Sequence, residues 1–213
     1  MNYFVKEIFY SIQGEGFHTG RPAVFCRFSG CNLWSGKEAD RHKAACQWCD
    51  TDFVGCDGEG GGTFKTAMDL ADRIATFWPQ KDLNSVRPFV VCTGGEPLLQ
   101  LDAGLISALH DRGFEVAVET NGTLLPPEGI DWICVSPKAG ADLLLRSGDE
   151  LKLVYPQPGA EPEKYAHLNF SHFFLQPMDS PDSAENIKRA LDYVLSHPRW
   201  RLSLQTQKIL KIR

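Results

Sequence analysis

Apolar residues along this chain follow two rhythms. Short runs of four to six residues at Ala23–Phe28, Pro88–Cys92, Glu115–Val118, Trp132–Val135, Leu151–Tyr155 and Phe173–Gln176 have the length and composition of buried strands. Three longer stretches carry apolar residues at helical spacing. Thr66–Trp78 places Ala67, Leu70, Ile74 and Phe77 on one face and is stopped by Pro79. Leu98–Arg112 turns Leu98, Leu101, Leu105 and Leu109 inward, with Gly113 as C-cap. Pro181–Ser196 has Ser180 as cap, Pro181 at the first helical position and Pro198 as terminator. The N-terminus reads as a polar stretch, and a late apolar run, Leu202–Leu204, leads into the C-terminus.

Buried strands alternating with helices predict an α/β protein with a parallel sheet. About six parallel strands with only three long helices predict an incomplete, partial TIM-like open β/α barrel in a single domain, 1–213. Gly58–Gly62 is expected to be a flexible joint. Nearly every strand ends in polar or glycine-rich residues: Ser29-Gly30-Cys31, Thr93-Gly94-Gly95-Glu96, Glu119-Thr120-Asn121-Gly122, Ser136-Pro137-Lys138 and Gln176-Pro177-Met178-Asp179. In parallel α/β folds the ligand site lies at the carboxyl ends of the strands, so these tails are expected to converge on one mouth.

Composition narrows the chemistry. A net charge of −5 gives no basic footprint for nucleic acid. No signal-peptide pattern opens the chain, and no apolar run approaches the roughly 20 residues that span a bilayer, so a cytoplasmic protein is expected. Seven cysteines in a reducing compartment point to metal or redox chemistry, and an odd number excludes a complete set of disulfides. Cys31 is followed by fourteen residues and then Cys46; two residues more bring Cys49. Three thiolates on a [4Fe–4S] cube leave one iron open to a small molecule. The other reading of this spacing is a structural zinc held by Cys26, Cys31, Cys46 and Cys49. Strand alternation opposes it by placing Cys26 and Arg27 on opposite faces, so that Arg27 enters the mouth while Cys26 packs away from it. Cys56, Cys92 and Cys134 read as structural, and the six histidines show no ligand spacing.

The three-cysteine loop after the first strand, Gly94-Gly95-Glu96-Pro97 after the second and the open β/α pattern together resemble the radical S-adenosylmethionine superfamily. The usual spacing there is three and then two residues; here an insertion, Asn32–Ala45, enlarges the loop at 31–49. Ser11-Ile12-Gln13-Gly14-Glu15-Gly16, Phe25-Cys26-Arg27, Cys49-Asp50-Thr51, Glu119-Thr120-Asn121-Gly122, Ser136-Pro137-Lys138, Gln176-Pro177-Met178-Asp179 and Gln205-Thr206-Gln207-Lys208 extend the likeness across the chain. In combination they resemble the 7-carboxy-7-deazaguanine synthase family, one branch of which carries such a loop. At Gln207 the family pattern has histidine.

The resemblance implies a lyase that converts 6-carboxy-5,6,7,8-tetrahydropterin to 7-carboxy-7-deazaguanine by radical ring contraction with loss of ammonia, toward queuosine and related deazapurines. It implies Cys31, Cys46 and Cys49 on the cluster and Mg²⁺ at Thr51. Gly94, Gly95, Glu96, Ser136, Pro137, Lys138, Gln176, Pro177, Met178 and Asp179 would lie on S-adenosylmethionine. The substrate would meet Ile12, Gln13, Gly14, Glu15, Arg27 and Thr93, with Arg27 forking its carboxylate and the terminal carboxylate of Arg213 also reaching it. A flavodoxin or ferredoxin donor and a homodimer are carried over with the family. A glycyl-radical activase and a zinc-stabilised, non-catalytic module stand as alternatives.

Overall fold

The computed structural model of the chain describes residues 2–79 and 86–213. A nine-stranded sheet runs in the order β3-β1-β2-β4-β5-β6-β7-β8-β9. Its strands are β1 (Tyr3–Ile12), β2 (Pro22–Phe28), β3 (Gly62–Phe64), β4 (Phe89–Gly94), β5 (Glu115–Thr120), β6 (Trp132–Val135), β7 (Ser147–Tyr155), β8 (Asn169–Pro177) and β9 (Trp200–Leu202). From β2 through β9 every neighbouring pair is parallel, whereas β1 is antiparallel to both β2 and β3. The α/β class and the mostly parallel sheet agree with the sequence expectation; in place of the expected six-strand partial barrel stands one sheet of nine strands with an antiparallel edge.

The additions have physical reasons. In β1 the register slips between Val5 and Glu7, so the inward phase runs Tyr3, Val5, Ile8, and no simple period of two is visible in the sequence. β3 and β9 have only three residues each, too few to show a period. The glycine run expected to be a flexible joint is instead tied to β1: Ile8 N donates to Glu59 O at 2.7 Å and Gly58 N to Lys6 O at 2.9 Å. A Cβ on Gly61 would stand 2.2 Å from Lys6 O, so glycine serves close approach there.

Helices α1 (Ala67–Ala75), α2 (Ala103–His110) and α3 (Ser183–Ser196) cover the outer face, and α4 (Thr206–Leu210) follows the last strand. The single helix expected over 98–112 is divided. Pro97–Leu99 forms a 3-10 turn, and Asp102 starts a fresh helix by accepting from Leu105 N at 2.9 Å. Asp102 also accepts from Tyr3 Oη at 2.8 Å, which pins that boundary to β1. The third helix begins at Ser183, with Asp182 at its N-cap instead of Ser180.

Two large cores flank the sheet. One gathers β1, β2, β4 and β5 under α1 and α2, around Ile8, Phe28, Leu70, Leu105 and Val116; the other gathers β6–β9 under α3, around Leu151, Leu153, Leu175 and Trp200. Phe9, Phe25, Phe89, Val91 and Ala117 pack together on the opposite face. The sheet curls so that the β1–β2 turn meets the C-terminal segment: Thr206 N donates to Gly14 O at 3.0 Å and Gly16 N to Ser203 Oγ at 2.9 Å. Among the described residues no helix is long and apolar enough to cross a membrane.

Candidate active site

The carboxyl ends of β2, β4, β5, β6 and β8 open on a cavity of about 390 Å³, bordered also by the β1–β2 turn and the C-terminal segment. Ile12, Gln13, Gly14, Glu15, Arg27, Thr93 and Arg213 line it. So do Cys46, Cys49 and Thr51 on the enlarged loop, and Gly94, Gly95, Ser136, Lys138 and Gln176 at strand ends.

Five of the residues expected at the mouth do not line it. Glu96 is fully buried, and its carboxylate accepts from Leu98 N at 3.0 Å, Thr120 Oγ1 at 2.7 Å and Asn121 N at 2.8 Å. It ties β4 to β5 below the mouth, and burial pushes its carboxyl above the usual range. Pro137 and Pro177 are buried, with Gln157 Nε2 donating to Pro137 O at 3.4 Å. Met178 O accepts from Asn186 Nδ2 at 2.9 Å, and Asp179 pairs with Lys208 Nζ at 2.5 Å, so both turn toward α3 and α4.

Cys31 also stands just outside the lining. The loop it opens has a small core of its own, Trp34, Ala44 and Phe53, against which Cys31 and Cys49 pack. Arg41 lies 4.1 Å over the Trp34 ring and donates to Gln47 O at 2.9 Å and Cys49 O at 3.1 Å. A 3-10 turn at Glu38–Lys43 carries that arginine, giving the insertion a structure its sequence did not disclose. Gly94 and Gly95 fix where the loop starts. Gly95 N donates to Phe28 O at 3.2 Å and Glu96 N to Gly30 O at 2.9 Å, and a Cβ on Gly95 would meet Gly30 O at 2.0 Å.

Cys46 and Cys49 line the cavity, and Cys31 packs with Cys49 against the small core of the loop. Burial pushes the Cys31 thiol up, and Leu33 N, donating to Cys31 Sγ at 3.4 Å, offsets only part of that. A hydrogen bond from the Cys46 thiol holds Cys49 down to about 6 and raises Cys46 in return; the Thr51 amide also favours the Cys49 thiolate. Among the described residues no three His, Cys, Asp or Glu side chains converge on a single ion. Cys26, the fourth ligand that a zinc site would use, is fully buried in the outer core beside Cys92. The donor set fits an iron–sulfur cube, whose thiolates bind separate irons, better than one tetrahedral ion.

Arg27 reaches the cavity from β2, with Nε donating to Glu7 Oε1 at 2.9 Å. On the floor, Lys152 Nζ lies 2.6 Å from Glu15 Oε2 and 3.1 Å from Glu119 Oε1. Glu15 also accepts from Gln205 Nε2 at 3.0 Å and Gln207 Nε2 at 2.9 Å. The ammonium and these carboxamides outweigh burial and hold the Glu15 carboxyl down to about 2. The sequence singles out neither Glu7 nor Lys152, and it brings Glu119 and Lys208 in only as members of motifs, with no individual role. For Lys152 a signal existed, since it is an ionisable residue within the apolar run Leu151–Val154.

No family model matches the chain. Among curated proteins, one from Bradyrhizobium diazoefficiens named 7-carboxy-7-deazaguanine synthase is 62% identical over 213 residues, covering 100% of both chains. The chain belongs to the 7-carboxy-7-deazaguanine synthase family. A synthase of the same name from Bordetella pertussis is 60% identical over 212 residues, again covering 100% of both. The crystal structure of QueE from Escherichia coli matches with a TM-score of 0.71 and 28% identity, over 96% of this chain and 94% of that one. Membership of the synthase family makes the chain an enzyme and removes the reading of a non-catalytic zinc module.

Proposed function

We propose that this chain converts 6-carboxy-5,6,7,8-tetrahydropterin to 7-carboxy-7-deazaguanine with release of ammonia, a step toward queuosine and related deazapurines. The observation that carries the reading is one cavity bordered by Cys46 and Cys49, by the Arg27 guanidinium and by the Glu15–Lys152–Glu119 floor. Cys31, Cys46 and Cys49 would hold a [4Fe–4S] cluster, with S-adenosylmethionine on the strand ends at Gly95, Ser136, Lys138 and Gln176. Bound there, these groups would supply the one-electron radical chemistry that the ring contraction needs.

The chain's own residues orient and enclose. Arg27 has its terminal nitrogens without a partner among the described residues, a fork suited to the substrate carboxylate. Thr51, between Asp50 and Asp52 at the cavity edge, offers a hard oxygen to Mg²⁺, a cation that keeps waters and takes few protein groups. Thr93 and the Ile12–Glu15 turn face the ring. The Gln205–Lys208 segment closes one side, with Lys208 Nζ 2.5 Å from both Asp50 and Asp179. A one-electron donor such as flavodoxin or ferredoxin, a homodimeric working form and a cytoplasmic setting belong to the same reading.

Anaerobic reconstitution with iron and sulfide tests it, followed by assay of the pterin with S-adenosylmethionine, Mg²⁺ and dithionite. The deazaguanine product is expected without any partner protein substrate, which also separates the reading from a glycyl-radical activase. Cys31→Ala is expected to lose cluster iron and all product, whereas Cys26→Ala keeps iron and only loses stability. Equal iron loss in both variants would refute the ligand assignment.

A further inference from the structure

The floor of the cavity holds two carboxylates around one ammonium. Lys152 is almost fully buried, with 6% of its side chain exposed, and its ammonium bridges the Glu15 and Glu119 carboxylates. Arg27, Lys208 and Arg213 also border the cavity, but each is already paired with a carboxylate, Arg27 with Glu7, Lys208 with Asp50 and Asp179, and Arg213 with Glu59.

The two carboxylates are not equally free. A carboxylate accepts about four hydrogen bonds. Glu15 Oε1 already takes Gln205 and Gln207, and its Oε2 takes Lys152; only 15% of its side chain is exposed. Glu119 Oε1 takes Lys152 and Gln13 Nε2, the latter at 3.2 Å. Its Oε2 has a single partner, the Thr93 hydroxyl at 3.2 Å, which can rotate away, and 25% of the side chain is exposed. Glu119 sits near the carboxyl end of β5, the middle strand of the nine. Glu119 lines the cavity, and of the four carboxylate oxygens around Lys152 its Oε2 is the least firmly partnered, bound only by a hydroxyl that can rotate away.

We propose that Glu119 Oε2 is the specificity determinant that reads the N–H donor edge, the 2-amino group with its neighbouring ring N–H, of a 2-amino-4-oxopyrimidine ring. The inference rests on the pterin reading above and adds the group that distinguishes this ring from a 2,4-dioxo ring of the same shape. A carbonyl in place of the amino group sets acceptor against acceptor, and a buried polar group left without its bond discriminates strongly. Lys152 is the positioning residue that holds Glu119 in place through its 3.1 Å contact with Oε1.

The test is equilibrium binding by anaerobic calorimetry on the reconstituted holoenzyme with Mg²⁺ and S-adenosylmethionine and no reductant, so that no turnover occurs. The ligands are the 2-amino carboxytetrahydropterin and its 2-oxo, lumazine-type analogue. Wild type is expected to bind the 2-oxo compound on the order of 10- to 100-fold more weakly, the worth of one charge-assisted hydrogen bond. Glu119→Gln is expected to bring the two affinities within about threefold, because a carboxamide can donate to the 2-oxo oxygen. Glu119→Asp, which keeps the charge on a shorter stem, should retain the direction of the preference at reduced size, and it serves if the Gln variant does not fold. Equal affinities in wild type, or an undiminished preference in Glu119→Gln, overturn the proposal. If wild type fails to bind the 2-amino compound at all, the pterin reading falls and this proposal with it.

Discussion

Gln207 Nε2 donates to Glu15 Oε1 at 2.9 Å, while the Gln207 Oε1 on the other side of the same carboxamide is buried without a partner. That oxygen lies over Gly14, where an added Cβ would stand 1.8 Å from it. Gly14→Ala is therefore expected to push the Gln207 side chain off Glu15. Losing a hydrogen bond to a charged group costs about 1.5–3 kcal/mol. Thermal or urea unfolding of Gly14→Ala, Gln207→Ala and the double variant forms a cycle in which the second change should cost little once the first is made. Additive losses would show that the two residues are not coupled.

A different outcome is expected at Gly95. Its Cβ would meet backbone, Gly30 O at 2.0 Å, and then Cys31 Cβ at 2.9 Å, so no side chain can swing aside to make room. Gly95→Ala should cost about 1–3 kcal/mol of overpacking strain and displace the start of the cysteine loop. Iron content after reconstitution, measured beside the unfolding midpoint, reads both effects. Wild-type iron loading at wild-type stability would contradict the close approach.

Lys152 is the counter-charge for two carboxylates, and its removal leaves them facing each other. Lys152→Met should destabilise by about 3–5 kcal/mol, as when one partner of a buried ion pair is deleted. In wild type the Glu15 carboxyl is held down to about 2, so its contribution to stability is present above the unfolded carboxylate value and fades as pH falls toward 2. In the methionine variant the acid side should be relatively favoured, because protonation relieves the repulsion. Unfolding midpoints of the two proteins between pH 7 and 4 should therefore converge. A constant gap would remove Lys152 from the role given to it.

His18 supplies a second pH dependence at the far end of the strands. Its ring lies 4.4 Å from Trp132 and 5.1 Å from Phe89, and its Nε2 is buried without a partner. Burial, followed by the charge of Arg21, lowers its pKa, while Glu115 and Asp149 pull weakly the other way and His172 adds to the lowering. A lowered value means that the unfolded chain takes up the proton first, so this histidine's contribution is intact at pH 8 and declines as pH falls below about 6.5. His18→Phe should flatten that part of the stability profile. An unchanged slope between pH 8 and 5.5 would count against it.

The sequence was most legible where one periodicity governs a whole element. The strands β2 and β4 to β8 and the helical stripe Leu70–Ile74 fall where their apolar spacing places them. It was least legible where a local bond interrupts a period. The bulge after Val5 hides β1 behind Lys6 and Glu7, and the Asp102 side chain restarts a helix that leucine spacing reads as continuous. In the site, residue type pointed to the cysteines and Arg27, of which Cys46, Cys49 and Arg27 line the cavity. Direction could not be read for Glu96, whose carboxylate turns beneath the mouth to Thr120 and Asn121. Partnership could not be read for Glu119 and Lys152, which lie 33 positions apart in the chain and meet only because β5, β6 and β7 are adjacent.

The cysteine loop packs around Trp34, Ala44 and Phe53, separately from the two cores that hold the sheet and its helices. Damage by air would thus fall on a peripheral appendage. On the cluster reading proposed above, protein that has lost its cluster to oxygen should keep its sheet and helices and accept iron and sulfide again without being denatured.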